Sequence, residues 1–271
     1  MENTKQKWWE FAATLHKRDN QICRVIKPLP KFKSSSYKTS VIVESRNIPH
    51  LEYVLSKHCQ HLNDSWAVRV VCTEDNKKYV TEIVNRLEAN IQIMLDNKIK
   101  TLQDYNNLLL SKEFWDSLDA EKVLLFQEDG FLLRDGVEEF LDYDYIGAPW
   151  PLELRHSPTG VGNGGFSLRS VSKMKRALEE ITLEHALNIN QTRKRGNTLV
   201  IAEDIYYSRA LSLYSDVKMP TWEAARSFSY ESIYHPEPVG WHLRNYNFEK
   251  IFRRASRTIS QSGNLRQSTQ L

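Results

Sequence analysis

The segment Lys122-Val-Leu-Leu-Phe-Gln127 places four large apolar residues in succession, without glycine or proline. That composition suits a strand buried on both faces. It ends a regular alternation. Thr39–Glu44 is β-rich, and Ile48–Leu62 has helical apolar spacing with Pro49 at its start. Trp66–Cys72 reads as a second strand, Lys77–Leu87 as a second helix and Ile91–Leu95 as a third strand, followed by a helical stretch through Asp104–Leu118. Strands joined through helices run parallel, and a parallel sheet needs helices over its faces. The expected fold class is therefore α/β, with a Rossmann-like nucleotide-binding half and a mostly parallel central sheet.

Beyond Asp129 the pattern changes. Phe131–Arg134, Tyr145–Ala148 and Phe166–Leu168 are short strand-like runs, Ser172–Leu187 is helical, and a further helix follows Ile201. Residues 189–198 are polar and basic and read as an exposed loop. This more elaborate half still reads as part of one compact domain, spanning 41–252. In front of it lie an amphipathic helix over 8–18 and a linker within 1–40; behind it, residues 253–271 form a polar, basic tail expected to be disordered.

The charge is uneven. Residues 1–40 carry nine Lys/Arg against three Asp/Glu, and 250–271 carry five Lys/Arg and no acid, while the whole chain is only +3. The body is thus acidic, which argues against nucleic acid as a partner. The basic ends read as solvated tails, with peripheral contact to an anionic membrane as the alternative. Cys23, Cys59 and Cys72 form no CxxC pattern, so neither a disulfide framework nor a zinc site is indicated. With a polar start and no apolar span, the expected location is cytoplasmic.

Three segments carry candidate chemistry. Gly160-Val-Gly-Asn-Gly-Gly-Phe-Ser-Leu-Arg169 holds four glycines in six residues, which lets backbone approach a partner closely. Glu128-Asp129 follows the best strand candidate, at the sheet edge where ligands bind in open α/β folds. There it can hold Mg2+ or Mn2+, or simply make a turn with Gly130. Glu203-Asp204 opens a helix, as dipole-complementing acids or as a general base for an attacking hydroxyl. His242 is either a metal or phosphate contact or an ordinary loop histidine. Glu44 and Arg46 follow the first strand, where a base or ribose could rest. Asn106 and Asn107 sit near the start of a helix, able to favour phosphate or to cap it. No GxxxxGK[ST], GxGxxG after the first strand, GxSxG or HExxH occurs, which removes P-loop, dinucleotide, α/β-hydrolase and zincin readings.

In order along the chain, Val41-Ile-Val-Glu-Ser-Arg46, Pro49-His-Leu-Glu-Tyr-Val54, Tyr105-Asn-Asn-Leu-Leu109, Ser111-Lys-Glu-Phe-Trp115, Phe126-Gln-Glu-Asp129, Asp144-Tyr-Ile-Gly-Ala-Pro-Trp150, Val161-Gly-Asn-Gly-Gly-Phe-Ser-Leu-Arg169 and Glu203-Asp204 resemble a small family of glycosyltransferase-like proteins catalogued as a domain of unknown function. The resemblance covers about 41–245. It implies a GT-A-like fold and transfer of a sugar from a nucleoside-diphosphate sugar, foremost a UDP-sugar, to a hydroxyl of a glycan, lipid-linked or protein acceptor, with inversion. By the same resemblance Asp129 is the metal carboxylate of a degenerate DxD motif in which Gln127 replaces the first Asp, and His242 meets the metal or diphosphate. Asp204, with Glu203 as second choice, is the base; Glu44, Arg46, Asn106, Asn107 and Glu128 serve the nucleotide. Asn163, Gly164 and Gly165 line the donor sugar, on which Trp150 or Trp241 could stack. The alternatives are a nucleotidyl- or phosphotransferase on the same fold, or a non-catalytic glycan- or nucleotide-binding module.

Overall fold

The alternation of strands and helices folds as expected. A computed structural model of the chain describes residues 29–154, 156–187, 193–195, 198–200 and 202–242. The helix read over 8–18 and the tail beyond 252 lie outside these residues. Six strands form the main sheet: β1 (Lys38–Val43), β2 (Trp66–Cys72), β3 (Gln92–Leu95), β4 (Lys122–Phe126), β6 (Tyr145–Gly147) and β7 (Phe166–Ser170), in the order β3-β2-β1-β4-β7-β6. The first four pair parallel. β7 runs antiparallel to both β4 and β6.

Every residue of β2 and β4 is buried, because the sheet is covered on both sides. Period-two alternation divides its side chains between two apolar layers. Ile42, Val68, Val70, Leu124 and Phe126 face α1 (Leu51–His61) and α2 (Glu74–Leu87). Val41, Val43, Val123 and Leu125 face α3 (Leu102–Leu109), α4 (Lys112–Ser117), α5 (Val171–Glu180) and α7 (Glu203–Leu211). Burial of these aliphatic and aromatic side chains, worth about 1.5–3 kcal/mol each, drives the assembly.

Helix ends follow local chemistry. The single helix expected through Asp104–Leu118 is two. Thr101 and Asp104 form a capping box that starts α3, and the Ser111 hydroxyl accepts the Phe114 N–H to start α4. The helix expected over Ser172–Leu187 is likewise divided, since Ile181 and Thr182 take extended backbone and Thr182 caps α6 (Leu183–Ala186). Where 189–198 was expected to be a loop, β8 (Arg193–Arg195) and β9 (Thr198–Val200) pair as antiparallel strands. The linker reading of residues up to 40 also changes: Phe32 is buried, its N–H bonds Ala89 O, and Lys33 N–H bonds Trp66 O, which seats this stretch on the body.

Two features place the site. The chain runs outward from β1 to β3, then returns to lay β4 on the other side of β1, so a crevice opens at the carboxyl ends of β1 and β4. A second sheet joins β5 (Gly130–Leu132) to β11 (Gly240–His242), with β10 (Ser229–Tyr230) beyond it, after α8 (Trp222–Phe228). The antiparallel register pairs His242 with Gly130.

His58 on α1 supports the turn at Gly130 from below. It stacks on Phe126 at 3.5 Å, bonds Ser40 Oγ through Nδ1 and Gly130 O through Nε2. Burial lowers its pKa from 6.5 to about 3. The folded protein therefore keeps His58 neutral while the unfolded chain takes up a proton, so stability is flat above pH 6.5 and falls as pH drops from 6.5 towards 3. One such proton contributes a slope of about 1.4 kcal/mol per pH unit. Urea unfolding of His58→Gln between pH 6.5 and 5 should show a slope shallower by about that amount; a slope equal to wild type would mean that His58 charges normally in the fold.

Candidate functional site at the carboxyl edge of the sheet

Past the end of β1, Glu44 is buried and its backbone carbonyl accepts Asn76 Nδ2 at 2.9 Å. Its carboxylate takes three hydrogen bonds from Arg46: the backbone N–H at 2.8 Å, Nε at 2.8 Å and Nη2 at 2.7 Å. The same Nη2 reaches Glu128 Oε1 at 2.9 Å. Arg46 thus spans the crevice from the β1 loop to the β4 loop. Donating to the Glu44 carboxylate raises the already high pKa of this guanidinium further. Burial pushes the Glu128 carboxyl up, reinforced by Asp129 and opposed by Arg46. His50, at the start of α1, is buried in the same place and lowered to about 4, chiefly by burial.

The segment after β4 makes a turn. Gly130 N–H bonds Gln127 O, and Gln127 N–H bonds Gly165 O, each at 2.9 Å. This geometry presents Asp129 to His242, whose Nε2 lies 3.3 Å from Asp129 Oδ1. On its other side, His242 Nδ1 is 3.9 Å from Glu231 Oε1. Burial works against a charge on His242, but Asp129, Glu231 and Glu128 outweigh it and raise the ring to about 9. Glu231 also accepts Asn163 Nδ2 at 3.1 Å.

The glycine run is where these groups meet. A Cβ at Gly165 would lie 2.1 Å from His242 Nε2, and one at Gly164 would lie 2.5 Å from Glu203 Oε1 and 2.8 Å from Asp204 Cβ. The missing side chains therefore let the chain entering β7 pass against the acidic and imidazole groups. Gly164 N–H donates to Asp204 Oδ2 at 3.1 Å, and Gly165 N–H to Asn163 Oδ1 at 3.2 Å.

Glu203 and Asp204 are adjacent in sequence and differ in setting. Glu203 is buried and paired through both oxygens with Arg169, at 2.5 Å to Nη1 and 3.0 Å to Nη2. Arg169 is fully buried, with its guanidinium carbon 5.0 Å from the Tyr145 ring, 5.7 Å from Tyr207 and 5.9 Å from Trp115. Burial disfavours its charge, yet Glu203 outweighs that and raises its pKa. Glu203, the second choice as base, thus has both carboxylate oxygens engaged by a permanent cation at the start of α7. Asp204 is half-buried. Its Oδ1 accepts the Ile205 N–H at 2.8 Å, and the carboxylate sits over Gly164.

Other expected positions divide. Asn106 is engaged within the fold: its Oδ1 accepts Glu203 N–H at 3.1 Å, at the start of α7, while Nδ2 donates to Leu102 O at 2.7 Å. Asn107 is exposed, accepts Gln103 Nε2 at 2.7 Å, and lies outside the cluster that gathers the other residues. Trp241 is buried, stacked 6.1 Å from Tyr230 and edge-on to Phe131 at 5.5 Å, and Trp150 is also buried. Three residues went unassigned in the sequence: His50, Arg169 and Glu231. Arg169 carried a signal, since a charge ending an apolar strand demands a buried partner. Glu231 carried none.

Among the described residues no three His, Cys, Asp or Glu side chains converge on one point. Asp129 and His242 are the pair here that could hold a divalent cation, the imidazole only after giving up its proton, with other ligand oxygens completing the coordination.

The Arg169–Glu203 pair gives a stability test. Removing one partner of a buried pair leaves an uncompensated charge and costs about 3–5 kcal/mol, whereas replacing both costs much less. In urea unfolding, Arg169→Met should lose about that much and Arg169→Met/Glu203→Gln should recover a substantial part. A loss below about 1 kcal/mol for the single variant would show the pair to be dispensable.

No curated protein matches the chain in sequence. Among solved structures, the crystal structure of mouse xyloside xylosyltransferase 1 in its apo form is similar, with a TM-score of 0.54 and 8% identity, covering 79% of this chain and 99% of that one. At that identity the likeness concerns the fold alone, a mixed α/β architecture with a mostly parallel central sheet. The family described as protein of unknown function (DUF5672) matches residues 88–242, more than half of the chain, and the chain belongs to that family.

Proposed function

We propose that the chain is a glycosyltransferase that moves a sugar from a nucleoside-diphosphate sugar, foremost a UDP-sugar, to a hydroxyl of a glycan, lipid-linked or protein acceptor. The observation that carries this reading is the meeting at Gly164–Gly165 of two functional halves: Asp204 on the Gly164 N–H, and the Asp129–His242 pair over Gly165. The fold likeness to a xylosyltransferase supports it.

The crevice between β1 and β4 takes the nucleotide. Arg46, held by Glu44 and reaching to Glu128, offers planar guanidinium donors suited to a diphosphate. Mn2+ or Mg2+ bound by Asp129 and His242 together with the phosphates would neutralise the charge that develops on the leaving diphosphate. Asn163, Gly164 and Gly165 form the wall for the donor sugar. Asp204 takes the proton from the acceptor hydroxyl as its oxygen bonds the anomeric carbon, while the bond from that carbon to the diphosphate oxygen breaks; attack opposite the leaving group inverts the configuration. Glu203, Arg169 and Asn106 do not touch the reacting atoms and instead fix the helix start that carries Asp204.

A positioned general base contributes about 10²–10⁴-fold. Asp204→Asn should therefore lower sugar transfer, or donor hydrolysis, by at least about 100-fold, with unfolding and nucleoside-diphosphate binding unchanged. Near-normal turnover in that variant would defeat the assignment. Product analysis addresses the rival chemistry: free nucleoside diphosphate marks sugar transfer, and pyrophosphate marks nucleotidyl transfer. Thermal shifts by UDP should grow with Mn2+ in the wild type and lose that increment in Asp129→Asn.

A further inference from the structure

A cavity of about 600 Å3 lies between the loop after β6 and the carboxyl half of α7, and none of its lining residues belongs to the crevice described above. Its volume is in the range of small-molecule sites. The walls are tied together by hydrogen bonds. Pro149 and Val161 form a β-bridge, Trp150 N–H bonds Gly160 O at 2.9 Å, and Ser157 Oγ donates to Val161 O at 3.1 Å. From α7, Arg209 donates through Nε to His156 O at 2.5 Å and through Nη1 to Ala186 O at 3.4 Å, joining loop, α6 and α7 around the space. A cavity framed in this way exists before any ligand arrives.

The chemistry of the lining is one-sided. It contains Arg209, His156 and His185, the hydroxyls of Ser157, Thr159 and Ser212, and the indole of Trp150, with no carboxylate among the described lining residues. A guanidinium and imidazoles favour phosphate or carboxylate. Hydroxyls exchange hydrogen bonds with a polyol as donor and acceptor, and an aromatic wall suits the apolar flank of a sugar ring. We propose that this cavity is a second binding site, for a sugar bearing an acidic group, phosphate or carboxylate, with Arg209 and the histidines on the acid and Thr159 and Ser212 on the ring hydroxyls. This inference does not depend on the transferase reading of the crevice.

Calorimetric titration of the full chain with glucose 6-phosphate, glucuronate and uncharged glucose tests it. At least one of the two acidic sugars should bind, glucose should bind about tenfold more weakly or worse, and the better of the two acids identifies the group recognised. Arg209→Gln should weaken that binding by about tenfold or more. Because Arg209 also bonds two backbone carbonyls, the Thr159→Val/His185→Gln variant provides a second arm with the same expectation. Neither of its residues is in the crevice, so UDP binding should be unchanged in it. Failure of both acidic sugars to bind at about 10 mM, equal binding of glucose, full affinity in the Thr159→Val/His185→Gln variant, or competition by UDP would each overturn the proposal. Loss of UDP binding in the wild type would count against the crevice assignment alone.

Discussion

At the centre of this fold a guanidinium and a carboxylate sit out of water, held face to face within an aromatic cage. Arg169 lies near the end of β7 and Glu203 begins α7, and their pairing ties that helix to the sheet. An ion pair in such a place gains little net stability over apolar residues of similar size, because desolvation offsets most of the attraction. Its worth is geometric. With both ions committed to each other, and Asn106 bonded to the Glu203 N–H, the next side chain has one place to go: Asp204 lies over the Gly164 N–H. A hydrophobic contact, being non-directional, would allow rotation that these bonds prevent.

The second constraint is the small sheet. Asp129 comes from the turn after β4 and His242 from a strand more than a hundred residues later, and only the pairing of β11 with β5 makes them neighbours. Glu231 approaches the same imidazole from the segment after β10. The site thus draws on segments far apart in the chain, with Gly164 and Gly165, just before β7, at their meeting point.

Much of the scaffold could be read from residue order. The buried strands around Val41, Val70 and Leu124 announce themselves by their β-branched and apolar residues, unbroken only in Val123–Phe126, and their alternation with helices points to the parallel arrangement. The places where the reading failed have physical reasons. Ser111 and Thr182 divide expected helices because a hydroxyl cap can outweigh continued apolar periodicity. In the site, Asp129, His242 and Asp204 could be named because acids and histidines bear chemistry. Whether Glu203 or Asp204 is available to a substrate depends on Arg169, a tertiary contact invisible in a one-dimensional string. The glycine run was legible as a close approach, but not what approaches: in the structure the nearest atoms belong to His242, Glu203 and Asp204. The role of Asn106 and the presence of Glu231 depend equally on contacts between distant segments.

The register that sets His242 opposite Gly130 also bears on how the protein folds. In the main sheet β1–β2 and β2–β3 join segments that a single crossover separates, and they close loops of modest length. The β5–β11 pairing closes a loop that encloses β6, β7 and α5 through α8. Such long-range contacts bear a large entropic cost before they return any energy. The sheet and its helices should therefore assemble first and the Asp129–His242 contact afterwards. Nascent or nicked chains can then hold a near-complete core while lacking the site, so acquisition of activity is a better clock for the last folding event than secondary-structure content.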